Sequence, residues 1–291
     1  MEATVEKESI NHYRFKLVVD YSYGAASTVM PNLFSKFGAD VLAVNPYFST
    51  SGRRDFDPVA GAERVASLVR ASGAHLGAII DPDGERLTIV DDTGRVLTHT
   101  EALLAFVTLV RDHLLGDSIA LPVNTTGQAA KIAAGAGVKV RPTKISTPAL
   151  MTAATDPAVG FAADGAGGYI LPGFLPAFDG AAALLKLLDL LARADTRLST
   201  VVDDLPKVHV VHDTIVTPWE QKGLVMRSLV ELAGRDVELV DGVKVLYPDG
   251  WALALPDPEE PLTHVWAEAS ADAEARKIGQ EYVRRIRQLL R

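Results

Sequence analysis

The sequence of 291 residues contains no cysteine, so a disulfide framework and a thiolate zinc site are both excluded. It also lacks any apolar run approaching the roughly 20 residues that a membrane-spanning helix needs. The first residues, Met1–Tyr13, are charged and polar, unlike a secretory signal peptide. By elimination, these absences predict a soluble cytoplasmic protein without a membrane partner.

Positive charge is also in short supply. Lysine and arginine number 29 against 37 aspartate and glutamate residues, which gives a formal net charge of −8. An acidic chain without a basic stripe is not expected to bind nucleic acid. Hydrophobic residues make up 48% of the chain, enough for two or three domains with their own cores.

Apolar periodicity predicts alternating strands and helices in the first part of the chain. Strand, helix and strand within about 30 residues is typical of a βαβ unit with a parallel sheet. The predicted elements are strands at Phe15–Asp20, Asp40–Val44 and Leu76–Ile80, helices at Ala25–Phe37, Arg64–Ala71 and Thr100–Leu115, and a hairpin at 86–97.

The same pattern returns about 100 residues later, where Gly127-Gln128-Ala129 takes the place of Gly24-Ala25-Ala26. The predicted elements of this second copy are strands at Ser118–Val123, Gly137–Arg141, Gly160–Ala163 and Tyr169–Leu171, and helices at Thr126–Ala134 and Gly180–Ala192. We therefore expect an α/β protein with two tandem domains, 14–116 and 117–203, that have mixed sheets and follow a linker at 1–13.

Beyond about Leu205 the order changes to strands and helices of a separate α+β domain, 204–291. Its predicted strands are Val208–Val211, Val243–Tyr247, Trp251–Leu255 and Leu262–Ala267, and its predicted helices are Pro218–Leu232 and Asp272–Leu290. The last helix carries the basic residues Arg284, Arg285, Arg287 and Arg291, which we interpret as a solvated face rather than an anion site.

The strongest chemical signal is the hexapeptide Asp-Pro-Asp-Gly-Glu-Arg at 81–86, directly after the apolar run Leu76–Ile80. Its carboxylates Asp81, Asp83 and Glu85 alternate, so a tight loop could turn them toward one cation. Oxygen ligands beside an arginine suit Mg²⁺ next to a phosphorylated group. The alternative is an ordinary type I turn, which proline at the second and glycine at the fourth position favour.

On this scaffold the 81–86 loop, followed by a hairpin over 91–97, resembles the metal loop of the α-D-phosphohexomutases, which include phosphomannomutases and phosphoglucomutases. The likeness continues through Leu175–Ala181, Asp241–Lys244 and Glu259–Leu262. It extends from about Phe15 to the C-terminus and implies domains two, three and four of a four-domain fold.

The stretch Val18–Ser27 is similar to the mutase-like C-terminal half of bacterial fusion proteins. The N-terminal half of those proteins is a sugar-1-phosphate nucleotidyltransferase, of the mannose-1-phosphate guanylyltransferase type. This resemblance implies that the partner is an N-terminal nucleotidyltransferase domain of the same parent chain. Met1–Tyr13 would then be the short segment between a cut in that parent chain and the start of the next domain.

The resemblance implies that an active mutase needs four sites. The first two are the phosphoserine and the metal loop. The family's phosphoserine lies in a Thr-Ala-Ser-His-Asn-Pro setting that no serine of this sequence shares, so we expect no catalytic residue here. In the metal loop, Glu85 replaces the family's usual Asp, which predicts weak Mg²⁺ binding by Asp81, Asp83 and Glu85. Arg86 keeps its family position and is expected to hold a phosphate or to pair with a carboxylate.

The other two sites are degenerate. Where the family has a sugar loop with Glu and Ser, this chain has Asp164, Gly165, Gly167 and Gly168, and so offers neither the Glu nor the Ser that would grip sugar hydroxyls. Where the family has a phosphate loop, Leu255–Pro261 offers acids and prolines, and its carboxylates Asp257, Glu259 and Glu260 repel a phosphate dianion.

Three functional interpretations follow. The first is a non-catalytic mutase-like module of a nucleotidyltransferase in nucleotide-sugar metabolism. The alternative is a fragment of an active phosphomannomutase or phosphoglucomutase that lacks its phosphoserine domain. The third is a free-standing protein that senses sugar phosphates through the 81–86 loop. A sugar phosphate is the expected ligand, and assembly into a homo-oligomer remains an open alternative.

Overall fold

The computed structural model describes residues 5–233 and 236–290, and the chain forms two compact units. The first unit is built from the described part of Met1–Leu121 together with Ile132–Arg141 and Leu150–Leu205. The second unit contains Pro122–Lys131, Pro142–Ala149 and Pro206–Arg291, again where described. Among the described residues, no helix combines the length and apolarity that crossing a membrane requires.

The first sheet has the strand order β2-β1-β3-β4, in which only β3 and β4 pair antiparallel. Its strands are β1 (Lys16–Asp20), β2 (Asp40–Val44), β3 (Leu76–Ile80) and β4 (Leu87–Val90). The helices of this region are α1 (Lys7–Tyr13), α2 (Ala26–Lys36), α3 (Thr50–Arg54), α4 (Pro58–Ser72) and α5 (His99–Val110), followed by a 3₁₀ turn at Arg111–His113.

Strand β3 is buried along its whole length, as expected for the middle of a mixed sheet covered by helices. Gly77 within it lets α4 pack closely, because a Cβ at this position would lie 2.6 Å from the Val65 side chain. Helix α4 begins with Pro58 after the N-cap Asp57 and ends at Ser72, and its C-cap Gly73 has a left-handed φ of 64°. The sheet and α4 thereby place the 81–86 loop at the carboxyl end of β3.

The second sheet has the order β6-β5-β7-β8 and is also mixed, since β5 and β7 are parallel while β7 and β8 are antiparallel. Its strands are β5 (Ser118–Pro122), β6 (Lys139–Thr143), β7 (Val159–Ala163) and β8 (Tyr169–Ile170). The accompanying helices are α6 (Gly127–Ala134), α7 (Thr147–Ala153), α8 (Gly180–Ala194) and α9 (Leu198–Asp203). Most residues of α8 are buried, and most of these are leucine or alanine.

The third sheet is antiparallel throughout, with the order β10-β11-β12-β13-β9. Its strands are β9 (Val210–Val216), β10 (Val237–Glu238), β11 (Val243–Tyr247), β12 (Gly250–Pro256) and β13 (Leu262–Glu268), with helices α10 (Trp219–Leu232) and α11 (Asp272–Leu289). Val225, Leu229, Tyr282 and Ile286 of the two helices are buried in one core with Val265 of the sheet.

The expected fold class is confirmed: two α/β regions with mixed sheets precede a C-terminal α+β region. The domain limits 14–116, 117–203 and 204–291 stay predictions. Several elements were not predicted. Helix α1 lies within the expected linker, where Ile10 is buried and the Glu6 N–H donates to Asp189 at 3.1 Å. Helix α4 begins six residues before the predicted Arg64, because its start is set by the Asp57 cap.

Candidate functional site

The 81–86 loop is a closed turn. The Gly84 N–H donates to the Asp81 carbonyl at 3.0 Å, and the Asp81 N–H donates to the Arg86 carbonyl at 3.1 Å. Gly84 takes a positive φ of 81°, which glycine adopts without steric cost. The turn predicted from proline and glycine is therefore present.

The carboxylates of the loop have the chemistry that Mg²⁺ prefers, but their arrangement differs from a metal cage. Asp81 Oδ1 accepts the backbone N–H groups of Glu85 at 2.8 Å and Arg86 at 3.1 Å. In residues 5–233 and 236–290 no group of three or more His, Cys, Asp or Glu side chains is arranged to hold a metal ion. Metal binding by Asp81, Asp83 and Glu85 thus stays a prediction that requires these side chains to move.

Arg86 pairs with a carboxylate, which is one of its two predicted roles. Its Nη1 donates to Asp164 Oδ2 at 2.8 Å and to the Ala166 carbonyl at 2.9 Å. The guanidinium carbon also lies 5.4 Å from the centre of the Phe178 ring. Because these contacts use the arginine, a phosphate would have to compete with Asp164 for it.

The 164–168 loop lies beside the 81–86 loop. Asp164 Oδ1 accepts the N–H groups of Ala166 and Gly168, each at 2.8 Å. The Gly167 carbonyl accepts the Leu87 N–H at 2.9 Å, and Gly168 forms an antiparallel bridge with Arg86. A Cβ on Gly165 would meet nothing within 4 Å. The structure therefore brings together two loops that the sequence analysis identified separately.

Two glycines allow neighbouring segments to approach the 81–86 loop. A Cβ on Gly24, in the turn after β1, would lie only 2.5 Å from the Pro82 carbonyl oxygen. Gly180, the first residue of α8, donates its N–H to the Gly84 carbonyl at 2.8 Å. Asp179 caps this helix by accepting the Ala182 N–H at 2.8 Å. The loop is thus held against two helix starts by backbone contacts.

His99 is a residue of this site that the sequence analysis missed. A Cβ on Gly167 would lie 3.1 Å from its Nδ1, so the imidazole lies against the 164–168 loop. Desolvation lowers the pKa of His99, and Arg86 acts in the same direction while Asp164 opposes it. Its position directly after the N-cap Thr98 of α5 gave no sign of this contact.

Asp20 at the carboxyl end of β1 was also missed. Its Oδ1 accepts the Ser22 N–H and the Asn45 side-chain amide, each at 2.8 Å. Its Oδ2 is buried and has no hydrogen-bond partner among the described residues, with Arg64 Nη1 at 3.9 Å. Ser22 and Tyr23 both take positive φ values, 50° and 56°, which non-glycine residues rarely adopt. This turn is therefore held by its surroundings rather than by local preference.

The 257–260 loop belongs to the second compact unit and already contains an anion. Asp257 Oδ1 accepts the N–H groups of Glu259 and Glu260, each at 2.7 Å. Its Oδ2 lies 2.9 Å from His264 Nε2, and the Lys222 ammonium donates to the Asp257 carbonyl at 2.6 Å. Hydrogen bonds, first that with His264, lower the pKa of Asp257 to about 2. The carboxylate thus uses the loop amides that could otherwise bind a phosphate.

The chain matches two consecutive models of one protein family. Residues 1–94 match "Phosphoglucomutase/phosphomannomutase, alpha/beta/alpha domain II", and residues 99–209 match domain III of the same family.

Sequence relatives support the same assignment. A phosphoglucomutase/phosphomannomutase of Thermococcus kodakarensis is 27% identical over 277 residues, 94% of this chain and 61% of the relative. A probable phosphoglucosamine mutase of Methanocella arvoryzae is 30% identical over 271 residues, 90% of this chain and 60% of the relative. The chain thus spans about three fifths of the length of these relatives.

Solved structures show the same fold. A phosphoglucomutase/phosphomannomutase family protein of Burkholderia thailandensis matches with a TM-score of 0.80 at 22% identity. The match covers 97% of this chain and 63% of the Burkholderia chain. Aspergillus fumigatus N-acetylphosphoglucosamine mutase in complex with GlcNAc-6P and magnesium has a TM-score of 0.66 at 15% identity, covering 96% and 68%.

Proposed function

Because the chain belongs to the phosphoglucomutase/phosphomannomutase family through its domains II and III, we propose that it serves an intramolecular phosphoryl transfer on a sugar. In such a transfer a phosphoserine gives its phosphoryl group to a sugar hydroxyl, and the bisphosphate formed returns its other phosphoryl group to the serine. This chain would contribute the 81–86 and 164–168 loops, and a separate domain would supply the phosphoserine. The consecutive match of two family domains is the observation that carries the proposal.

The substrate class follows from the relatives. Their names include phosphoglucomutase/phosphomannomutase and phosphoglucosamine mutase, so we propose a hexose phosphate or a hexosamine phosphate. Arg86 is the cation of the 81–86 loop, and it could exchange its carboxylate partner Asp164 for a phosphate. Such an exchange is feasible because both are anions that accept from a guanidinium.

Mg²⁺ is the proposed cofactor, and it would screen the charge of the transferring phosphoryl group when bound. The carboxylates of Asp81, Asp83 and Glu85 are hard oxygen donors, and a solved structural neighbour contains magnesium. Binding would be weak, because Asp81 Oδ1 already accepts two N–H groups and no group of three ligands converges within the described residues.

A second candidate function is a non-catalytic module that binds sugar phosphates. The specific observation in its favour is the Asp257 carboxylate, which accepts the loop amides where a substrate phosphate would be gripped. The nucleotidyltransferase interpretation gains no support from the relatives named above, which are mutases.

The test combines this chain with a separately produced, phosphorylated first domain of the Thermococcus relative. Glucose, mannose and glucosamine 1-phosphates are supplied with Mg²⁺ and the matching 1,6-bisphosphate, and formation of the 6-phosphate is followed by ³¹P NMR. We expect slow turnover that Asp83→Asn abolishes. The control Glu63→Gln removes an exposed carboxylate of α4 and should leave turnover unchanged.

Two outcomes would overturn the mutase proposal. If no 6-phosphate forms while titration calorimetry shows saturable binding of a sugar phosphate, the non-catalytic module is the correct function. If neither turnover nor binding occurs, both candidates are wrong.

A further inference from the structure

Strand β9 forms one edge of the third sheet. Hydrogen bonds just beyond its two ends show which of its residues bond to β13. The Ala269 N–H donates to the His209 carbonyl at 3.3 Å, and the Thr217 N–H donates to the Pro261 carbonyl at 2.7 Å. In an antiparallel ladder such bonded positions alternate. The odd-numbered residues between them therefore bond to β13, while Val210, His212 and Thr214 direct their N–H and C=O groups to the free edge.

A groove of about 930 Å³ runs along this free edge between β9 and α11. Residues of β9 from Val210 to Thr214 form one wall, and polar and cationic side chains of α11 form the other. The α11 residues are Arg276, Gln280, Val283, Arg284, Arg287 and Gln288. Gly279 lets the helix lie against the strand, since a Cβ there would be 3.1 Å from Val211 and 3.7 Å from Asp213.

The charges of this groove are only partly compensated. Arg276 pairs with Asp272 at 2.7 Å, and Asp213 is a further negative charge near it. Arg284 and Arg287 are exposed, and neither takes part in an ion pair of the described residues. Two guanidinium groups thus face an open edge in a protein whose net charge is −8.

The opposite side of the edge has a flat aromatic surface. The His212 ring stacks on Trp266 at a centroid distance of 4.4 Å with an interplanar angle of 4°, and His264 stacks on the same indole at 5.2 Å. His212 Nε2 also lies 3.0 Å from His264 Nδ1. Side chains of a strand added beside β9 would meet this surface on one face and the arginines on the other.

We propose that the β9 edge accepts an extended acidic segment of another polypeptide as an additional strand. The outward N–H and C=O groups of Val210, His212 and Thr214 would form the backbone bonds, a known mode of peptide recognition. Acidic side chains at alternate positions would point toward α11 and pair with Arg284 and Arg287.

Dimensions and charge support this occupant. A five-residue strand spans about 17 Å, and Arg276 and Arg287 are separated by about 16 Å along the helix axis. A second copy of the chain is a poorer occupant. Pairing two β9 edges about a two-fold axis would bring Arg284 and Arg287 near their own equivalents, where like charges repel.

The experiment measures fluorescence anisotropy with a labelled peptide in which glutamate and valine alternate. We expect saturable binding that Arg284→Gln and Arg287→Gln each weaken by roughly two- to fivefold, as for exposed charge pairs. The matched control Lys277→Gln removes an exposed cation of the same helix outside the groove and should leave the affinity unchanged. A second probe carries N-methyl groups on alternate amides and should bind at least tenfold more weakly.

Four results would overturn the proposal. One is equal binding of a peptide with lysine in place of glutamate, and another is an equal loss of affinity in Lys277→Gln, which would indicate unspecific attraction. The third is unchanged affinity for the N-methylated probe. This result would exclude strand addition, and it requires no substitution in the protein. The fourth is a dimer in sedimentation experiments that Arg284→Gln strengthens, because a second copy would then occupy the edge.

Discussion

The Arg86 guanidinium donates to the Asp164 carboxylate at 2.8 Å, and this ion pair ties the 81–86 loop to the 164–168 loop. Both residues stand in segments that resemble functional loops of the phosphohexomutases. In this chain the arginine is neutralised within the protein, and Asp164 orders its own loop through two further backbone bonds. The pair therefore links the two loops, and any phosphate that bound to Arg86 would have to compete with Asp164.

We expect Arg86→Gln to lower the free energy of unfolding by about 1–3 kcal/mol, because Asp164 loses a charged, partly buried partner. The matched control is Arg141→Gln, which breaks the exposed pair with Asp156 and should lower the stability much less, because solvent screens this pair. Urea unfolding of both variants measures the difference. Equal losses in the two variants would mean that the Arg86–Asp164 pair is only a surface contact.

Mg²⁺ should raise the melting temperature of the protein if the 81–86 loop binds it, because a ligand of the folded state stabilises that state. Asp83→Asn should abolish this rise by removing a carboxylate, whereas Glu63→Gln on α4 should preserve it. Differential scanning fluorimetry across a Mg²⁺ series gives the comparison. A rise of the same size in Asp83→Asn would show that the loop is a turn without a metal function.

Gly24→Ala should destabilise the protein by about 1–3 kcal/mol, the usual cost of overpacking. The added methyl group would lie 2.5 Å from the Pro82 carbonyl oxygen, so the backbone of the 81–86 loop must shift. Gly165→Ala is the matched control, since its methyl group would meet nothing within 4 Å. Thermal melting should separate the two variants, and similar melting temperatures would show that the loop accommodates the methyl group without cost.

Much of the fold could be predicted because several of its strands, such as β3, are continuous apolar runs. Strands β2 and β3 have the predicted bounds, Asp40–Val44 and Leu76–Ile80, and helix α8 begins at the predicted Gly180. Helix α1 could not be predicted from its own residues. Ile10 is its one fully buried side chain, and its start is tied to Asp189, a residue 183 positions away.

The candidate site was predictable in its residue types and less so in its contacts. Arg86 and Asp164 were both identified, but a partner 78 positions away cannot be inferred from one sequence. Asp257 was interpreted as a repelling charge, whereas its carboxylate accepts the N–H groups two and three residues further on. This local pattern is typical of aspartate in turns, so the sequence itself indicates these hydrogen bonds.

Glu268 in β13 should stabilise the second compact unit. Its buried carboxylate accepts from the Thr126 hydroxyl at 2.7 Å, the Gly127 N–H at 2.8 Å and the Trp251 indole at 2.6 Å. In Glu268→Gln the side-chain NH₂ group would face the hydroxyl and N–H donors that the carboxylate accepts. This mismatch should lower the free energy of unfolding by about 1–3 kcal/mol. Urea unfolding followed by tryptophan fluorescence measures this loss, with the exposed Glu274→Gln as control. Comparable stability of the two variants would contradict the role given to the carboxylate.

The low pKa of Asp257 predicts how stability depends on pH. The folded-state value is about 2, below the roughly 3.9 expected for an unfolded chain. The unfolded state therefore takes up the proton first, so the stabilisation is complete above about pH 4 and is lost as the pH falls toward about 2. The asparagine in Asp257→Asn cannot titrate. The amount by which this variant is less stable than the wild type should therefore shrink as the pH falls through this interval.

Urea midpoints of the wild type and Asp257→Asn, measured at several pH values while both are still folded without urea, provide the test. Asp249→Asn is the matched control, because this exposed aspartate lies in the turn between β11 and β12. If the stability deficit of Asp257→Asn does not change with pH, the carboxylate titrates alike in both states. In that case its hydrogen bonds to the amides of Glu259 and Glu260 contribute no pH-dependent stability, which would contradict the role given to this carboxylate.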